Sequence, residues 1–481
     1  MSKPNILIII CDQLRYDALG CYGNKIIQTP AIDKLSSESV TFTNAYTSSP
    51  ICVPARITML TGRHDFTFNK PYGHKNTPHL SHILKSSGYH TAMIGKAHFV
   101  PCTETYGFDY FKLSDDHELG RVNADKYQKY LTEKELFERE HGLDGWDILW
   151  ATSNLKEEDY VTTWNGNQTI EYLQKKRAKD KPFFCVCSFV KPHPPFDPPR
   201  PYDTMYKPED MPFPKGCNEP VANKSRVIQK WHSAWEFDFC MREDRRARIV
   251  SHYYGNVSLI DKQIGHIIST LRDEGLYDDT IIIFLTDHGE QLGDQHLFMK
   301  HFGYDSSIHI PLILRVPGVK SKICDSFVSL TDILPTICDT VGAEKPKFSI
   351  GQNLISLYEG KTSSKDYMVS YSDVGGEWFS LQNNKWKYIY YFNGGDEELY
   401  DFSKESYETI NLANEKEYKT IKDEMKNKLV CWIKEMRQVS EIDLRRFIDN
   451  DNLIVKPFRE DIFSYFERRS LAHRIPKYLI R

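Results

Sequence analysis

The 481-residue chain lacks the features that mark several large classes of protein. No stretch approaches the roughly 18 consecutive apolar residues of a membrane-spanning helix, so no membrane partner is expected. Its eleven cysteines form no CxxC pair and no regular spacing, which argues against a disulfide framework and suits a reducing compartment. Neither sign of charge is in excess: 62 Lys and Arg stand against 66 Asp and Glu, leaving no broad field to attract nucleic acid. Internal repeats and low-complexity tracts are also missing. What is present is 40% hydrophobic residues, enough to bury a large core and to exclude a disordered chain. The opening apolar run, Asn5 to Ile10, stops at Cys11-Asp12, too short for a secretory signal core. A cytoplasmic location is expected; a chain whose signal had been removed would read the same and would be periplasmic.

Four short apolar runs are followed at once by polar, chemically capable residues. Asn5–Ile10 leads into Asp12-Gln13, and Thr91–Ile94 into Gly95-Lys96-Ala97-His98. Phe183–Val190 leads into Lys191-Pro192-His193, and Thr280–Leu285 into Thr286-Asp287-His288-Gly289. Near-continuous β-branched and aromatic runs of this length read as strands buried on both faces, as in parallel sheets flanked by helices. In open α/β sheets ligands bind beyond the carboxyl ends of the strands, so the four polar groups are expected to build one site.

Helices are expected at Thr29–Glu38, at Thr77–Lys85 and from Tyr253 to Glu274, the last stopping at Gly275. The weakly periodic segments 111–180 and 200–245 read as insertions lining a cleft. Their tryptophans, Trp146, Trp150, Trp164, Trp231 and Trp235, suit either stacking on sugar rings or a core. Beyond about residue 365 the texture becomes short, aromatic and alternating, with an Asn393-Gly394-Gly395-Asp396 turn that suggests antiparallel hairpins, and a helix follows near 416–438. The expected division is a catalytic α/β domain over 1–364, a smaller α+β subdomain over 365–440 and a tail over 441–481. That tail either forms an arm in a homo-oligomer or covers its own domain.

The stretch Cys52-Val-Pro54-Ala-Arg56, followed by Thr61-Gly62, decides the chemistry. Pro54 suits the first turn of a helix and Gly62 its end, which puts Cys52 at a helix N-terminus, where an anion is favoured and a thiol is expected to be acidic. Cys52-x-Pro54-x-Arg56 with Thr61-Gly62 resembles the signature of the type I, formylglycine-dependent sulfatases. Asp12, Gly95-Lys96-x-His98, Lys191-Pro192-His193, Thr286-Asp287-His288-Gly289, Lys300, His309 to Ile313 and Leu399-Tyr400-Asp401 recur in matching order, so the resemblance spans most of residues 4–402. It implies an alkaline phosphatase-like α/β fold: a large mixed sheet flanked by helices, with a smaller C-terminal antiparallel sheet.

The resemblance also implies site roles. Cys52 would be oxidised to formylglycine by a maturation enzyme and would attack as the hydrated aldehyde. Asp12, Gln13, Asp287 and His288, with residue 52, would hold a divalent metal, calcium first and magnesium or manganese as alternatives. Arg56 and Lys96 would hold the aldehyde hydrate, His98 would assist its deprotonation, and Lys300 with His193 would grip the sulfate and protonate the leaving oxygen. Lys191 would add positive charge. Arg15, His74, Glu377 and Trp378 complete the substrate-binding candidates, while His64, His79, His82 and His252 read as structural.

Many sulfatases pair two adjacent aspartates at the first metal position and place an asparagine after the later aspartate. This chain has Asp12-Gln13 and Asp287-His288, as in the branch holding choline sulfatases and phosphonate monoester or phosphodiester hydrolases. Lys191-Pro-His-Pro-Pro-Phe196 resembles the iduronate-sulfatase side instead. The implied activity is hydrolysis of a sulfated sugar or small sulfate ester. Phosphonate monoester or phosphodiester hydrolysis is the alternative, and a glycan-binding module without catalysis is a third class.

Overall fold

The computed structural model describes residues 3–68, 77–101, 104–114, 125–138, 140–404, 407–449 and 452–464. Eight strands form the main sheet: β1 (Asn5–Asp12), β2 (Val40–Tyr46), β3 (His90–Gly95), β4 (Tyr110–Leu113), β5 (Phe183–Pro192), β6 (Thr280–Thr286), β7 (His309–Arg315) and β8 (Lys322–Ser329). Their order is β4-β3-β5-β1-β6-β7-β2-β8. All neighbours pair in parallel except β7, which runs antiparallel to both β6 and β2. Its apolar run alone does not distinguish this direction, because a strand buried on both faces reads alike either way.

The alternation of side chains along each strand builds two cores. Leu7, Ile9 and Cys11 of β1, Cys185 and Cys187 of β5, and Ile282 and Phe284 of β6 enter one. Ile6, Ile8 and Ile10, with Phe184, Val186, Ile281, Ile283 and Leu285, enter the other. Among the helices that cover these faces are α1 (Pro30–Ser37), α2 (Cys52–Thr61), α3 (Glu243–Asp273) and α4 (Ile333–Val341). Helices α1 and α3 lie on the first face, α2 and α4 on the second. Helix α3 starts ten residues before the expected Tyr253, because the charged run from Glu243 to Arg248 hides its apolar stripe; Glu243 and Asp244 occupy its first turn, where acids favour the helix dipole.

Strands β9 (Met368–Ser372), β10 (Trp378–Gln382), β11 (Trp386–Tyr391) and β12 (Glu397–Asp401) form a separate antiparallel sheet in the order β12-β11-β10-β9. Val369, Tyr371, Phe379, Leu381, Tyr388 and Tyr390 pack under α5 (Lys419–Glu435). Met368, Trp378, Ile389 and Tyr391 pack on the main core instead, which fixes the small sheet against the large one. The described part of the tail, to residue 464, covers its own chain: Phe447 is buried in the small-sheet core and Phe463 lies against Trp231. Trp231, Trp235 and Trp164 are buried core residues, whereas Trp146 and Trp150 are half-buried. No helix among the described residues is long and apolar enough to cross a membrane.

One glycine positions the site. At the end of β3, Gly95 has φ of 96°, and a Cβ there would sit 1.9 Å from the Ser188 carbonyl oxygen. The close approach lets the Lys96 N–H donate to that carbonyl at 2.9 Å, which fixes where the Lys96 side chain departs. Gly95→Ala is expected to destabilise the protein by about 1–3 kcal/mol through overpacking. The readout is the urea unfolding midpoint, and an unchanged midpoint would show that β3 and β5 part here freely.

Candidate active site

Register brings the two key carboxylates together. Cys11 of β1 pairs with Thr286 of β6, so Asp12 and Asp287 leave adjacent parallel strands side by side. The Thr286 hydroxyl donates to the Cys11 carbonyl and accepts from the Leu14 N–H at 3.0 Å, stitching the two chain ends together. Asp287 Oδ1 accepts from the N–H groups of Gln13 and His288, both at 3.1 Å. Gln13 itself sits at φ of 67°, a left-handed conformation costing a non-glycine residue about 1–3 kcal/mol. The Tyr253 hydroxyl helps to hold it by donating to the Gln13 carbonyl at 2.8 Å.

Helix α2 begins at Cys52 and ends before Gly62, which has φ of 67°. One turn after Cys52, Arg56 reaches back beneath it. Its Nε donates to Asp287 Oδ2 at 2.9 Å and its Nη2 to Asp12 Oδ2 at 3.1 Å. Its Nη1 donates to the Lys96 carbonyl at 2.6 Å and the Ser188 hydroxyl at 2.8 Å. Lys96 Nζ lies 2.9 Å from Asp12 Oδ2. Burial alone would raise the Asp12 carboxyl, but the cations Lys96 and Arg56 outweigh it and hold the group well below the usual carboxylate range.

The remaining atoms face one another. Cys52 Sγ lies 3.2 Å from His288 Nε2 and 3.7 Å from Asp12 Oδ1. His288 Nε2 is 3.8 Å from Oδ1 of both Asp12 and Asp287. His288 Nδ1 lies 3.0 Å from the Gly289 carbonyl; donating there assigns the proton to Nδ1 and leaves Nε2 as an inward lone pair. One ligand atom from each of Asp12, Cys52, Asp287 and His288 falls within 4.8 Å of the others. Positive groups lie on the outer carboxylate oxygens, and acceptors converge inward. That donor set fits a divalent cation.

Beside this cluster Lys300 Nζ donates to Gln13 Oε1 at 2.6 Å and to His193 Nε2 at 2.9 Å, while His193 Nδ1 faces the Pro194 carbonyl at 3.0 Å. Burial, then Lys300 and Lys96, push His193 well below the usual histidine range. The acidic thiol expected for Cys52 is not what the site produces. Burial and Asp12 push it up to about 11 against the opposing pull of Lys300 and Lys96, so desolvation and a neighbouring anion outweigh the helix terminus.

Other candidates are placed differently. Lys191 Nζ is tied to Asp197 at 2.5 Å and the Pro195 carbonyl at 2.6 Å. Arg15 divides its guanidinium among Asp17, Asp294 and the carbonyls of Glu290 and Gln291. Glu377 accepts from Arg446 at 2.6 Å and from Lys456 of the tail, and the Trp378 indole donates to the His301 carbonyl at 3.0 Å. His98 is half-buried, two residues beyond Lys96, with φ of 56°. His74 lies outside the described residues.

Residues 4–343 match the Sulfatase family model, and residues 293–435 match the model for the C-terminal part of N-sulphoglucosamine sulphohydrolase. The chain belongs to the sulfatase family. An arylsulfatase from Clostridium perfringens (strain 13 / Type A) is 32% identical over 460 residues, covering 89% of this chain and 94% of that one. A choline-sulfatase from Rhizobium meliloti (strain 1021) is 27% identical, covering 86% and 83%. Among solved structures, the phosphonate monoester hydrolase of Agrobacterium radiobacter superposes with a TM-score of 0.76 at 23% identity, covering 90% of this chain and 96% of that one. These likenesses place the sulfatase in the alkaline phosphatase-like superfamily and make it a sulfuric ester hydrolase.

Sequence reading of this sulfatase missed Glu290, which is fully buried and accepts from the Gln13 amide. The available signal was its position, an acid two residues after His288 in the same strand-end turn. Ser188 and Tyr253 were missed as well; nothing in their sequence surroundings separates them from core residues.

Arg56→Met in chelator-treated protein would leave two buried carboxylates without their shared cation, at a cost of about 3–5 kcal/mol. A carboxylate held low contributes stability above its unfolded pKa and loses it as pH falls, whereas one raised by lost compensation gains on protonation. The stability gap between wild type and variant, measured by urea unfolding, should therefore narrow as pH falls towards about 4. A gap that stays constant would contradict the assigned role of Arg56.

Proposed function

We propose that this sulfatase hydrolyses a sulfated sugar or small sulfate ester with a formylglycine made from Cys52 as its nucleophile. The observation that supports this most is the convergence of Cys52 at the start of α2 with Asp12, Asp287 and His288. Asp12, Gln13, Asp287 and His288, with residue 52, would hold the cation, calcium being favoured by the oxygen-rich set. When bound, such a cation lowers the pKa of a coordinated hydroxyl and neutralises charge on sulfuryl oxygens.

In the proposed reaction one hydroxyl of the aldehyde hydrate attacks sulfur while the bond from sulfur to the alcohol oxygen breaks. Lys300 and His193 are 2.9 Å apart; in this reading the Lys300 ammonium binds sulfate oxygens and passes a proton, directly or through His193 Nε2, to the departing alcohol, and the proton released by the attacking hydroxyl replaces it. Loss of a proton from the second hydroxyl, assisted by His98, re-forms the carbonyl and expels sulfate; water then restores the hydrate. Arg56 and Lys96 keep the carboxylates ionised and oriented. The choline-sulfatase relative and the sulphoglucosamine sulphohydrolase C-terminal match support a small ester or a sugar as the alcohol part.

A specific feature favours a second reading. Gln13 stands where a second carboxylate would make the site more anionic, and a less anionic site admits a phosphoryl group more readily, so phosphonate monoester or phosphodiester hydrolysis is the alternative. Turnover of an aryl sulfate by matured protein should exceed that of the matching aryl phosphodiester and phosphonate monoester. The reverse order would favour the alternative, and turnover of none would favour a binding module. Cys52→Ala should abolish turnover with an unchanged melting curve, and the peptide containing residue 52 should be lighter by the difference between CH2SH and CHO. A full-mass peptide in active protein would sink the formylglycine assignment.

A further inference from the structure

Glu290 is a fully buried carboxylate that the proposed reaction does not use. All its partners are donors: Oε1 accepts from the N–H groups of Leu292 at 3.1 Å and Met299 at 2.6 Å, and Oε2 accepts from Gln13 Nε2. Both carboxyl oxygens therefore act as acceptors, Oε1 towards the two backbone N–H groups and Oε2 towards the amide. The amide of Gln13 thus has its nitrogen pinned towards Glu290, and its oxygen, pointing the other way, accepts from Lys300 at 2.6 Å. Lys300 in turn touches His193. Without the bond to Glu290 only Lys300 would hold this orientation, and the turned form would present a donor to its ammonium and offer no lone pair to a cation.

We infer that Glu290 is a positioning residue that fixes the orientation of the Gln13 amide, so that Oε1 faces the Lys300 and cation side of the site. The inference rests on the proposed ligand role of Gln13 and extends it to a residue outside the cluster. It also makes the pair reversible in principle. With a carboxylate at position 13 and an amide at position 290 the same donors would be satisfied. The amide oxygen would accept from the N–H groups of Leu292 and Met299, and the amide nitrogen would donate to the carboxylate across from it.

The single variant lacks that solution. In E290Q the two backbone N–H groups demand an oxygen at the Oε1 position, so the new amide nitrogen confronts the Gln13 nitrogen and forces Gln13 to turn over. Partners that orient a metal ligand typically carry 10–100-fold in metal affinity or activity. E290Q is therefore expected to weaken binding of calcium or manganese, each titrated by calorimetry into chelator-stripped protein, and to lower aryl sulfate turnover, both by roughly 10–100-fold. The reciprocal double variant Q13E/E290Q should recover most of both losses. A carboxylate needed only for folding would instead make the second substitution a further lesion.

Q13A separates the two levels of the claim. If it changes neither cation affinity nor turnover, the ligand role of Gln13 fails and this inference falls with it. If Q13A weakens both while E290Q weakens neither, or while the double variant is no better than E290Q, Gln13 keeps its role and Glu290 loses the one assigned here. Should E290Q alone fail to fold, a folded, cation-binding double variant supports the inference and an unfolded one overturns it.

Discussion

Two carboxylates cannot be buried side by side at neighbouring strand ends without positive charge buried beside them, since each unpaired ion costs several kcal/mol. Arg56 is that charge, bonded at once to Asp12, Asp287, the Lys96 carbonyl and the Ser188 hydroxyl. Residues four apart share a helix face, so the helix that carries Arg56 to the carboxylates also carries Cys52 to them, one turn nearer its start. The spacing from Cys52 to Arg56 thus has a physical meaning. Charge compensation and placement of the reacting side chain are two results of docking one short helix, α2, against the carboxyl ends of β1 and β6.

The imidazoles obey a similar local economy. His193 and His288 each face the carbonyl of the following residue with Nδ1, at 3.0 Å in both cases. Each segment thereby fixes its own tautomer and leaves Nε2 as an acceptor, one towards Lys300 and the other towards the cluster at Cys52. The protein needs no distant partner to set these proton positions.

The strand-end residues were legible because continuous apolar runs stop where polarity begins, and the parallel-sheet geometry does the rest. Asp12, Lys96, His193 and Asp287 were found that way, and the cysteine motif joined them. What the sequence concealed depends on side-chain direction. Lys191 and Arg15 stand next to site residues in the chain, yet they turn to Asp197 and to Asp17 with Asp294, and nothing in residue order encodes that turn. The antiparallel direction of β7 was hidden because burial on both faces erases the alternation that would reveal it. The raised thiol of Cys52 escaped for another reason: its burial is a product of the whole fold, and the anions that add to it arrive from strands 40 and 235 residues away in the chain. The large α/β domain and the hairpins of the small sheet were both readable from local pattern, whereas the packing of the small sheet on the large core is a long-range outcome.

The account stands on segments distant in sequence enclosing one cation beside residue 52. Anomalous diffraction from crystals of the matured protein grown with manganese tests this directly. The account predicts a single strong peak bounded by Asp12, Asp287, His288 and the side chain at 52. A fully occupied peak elsewhere, with those four side chains unchanged and still in mutual contact, would contradict it.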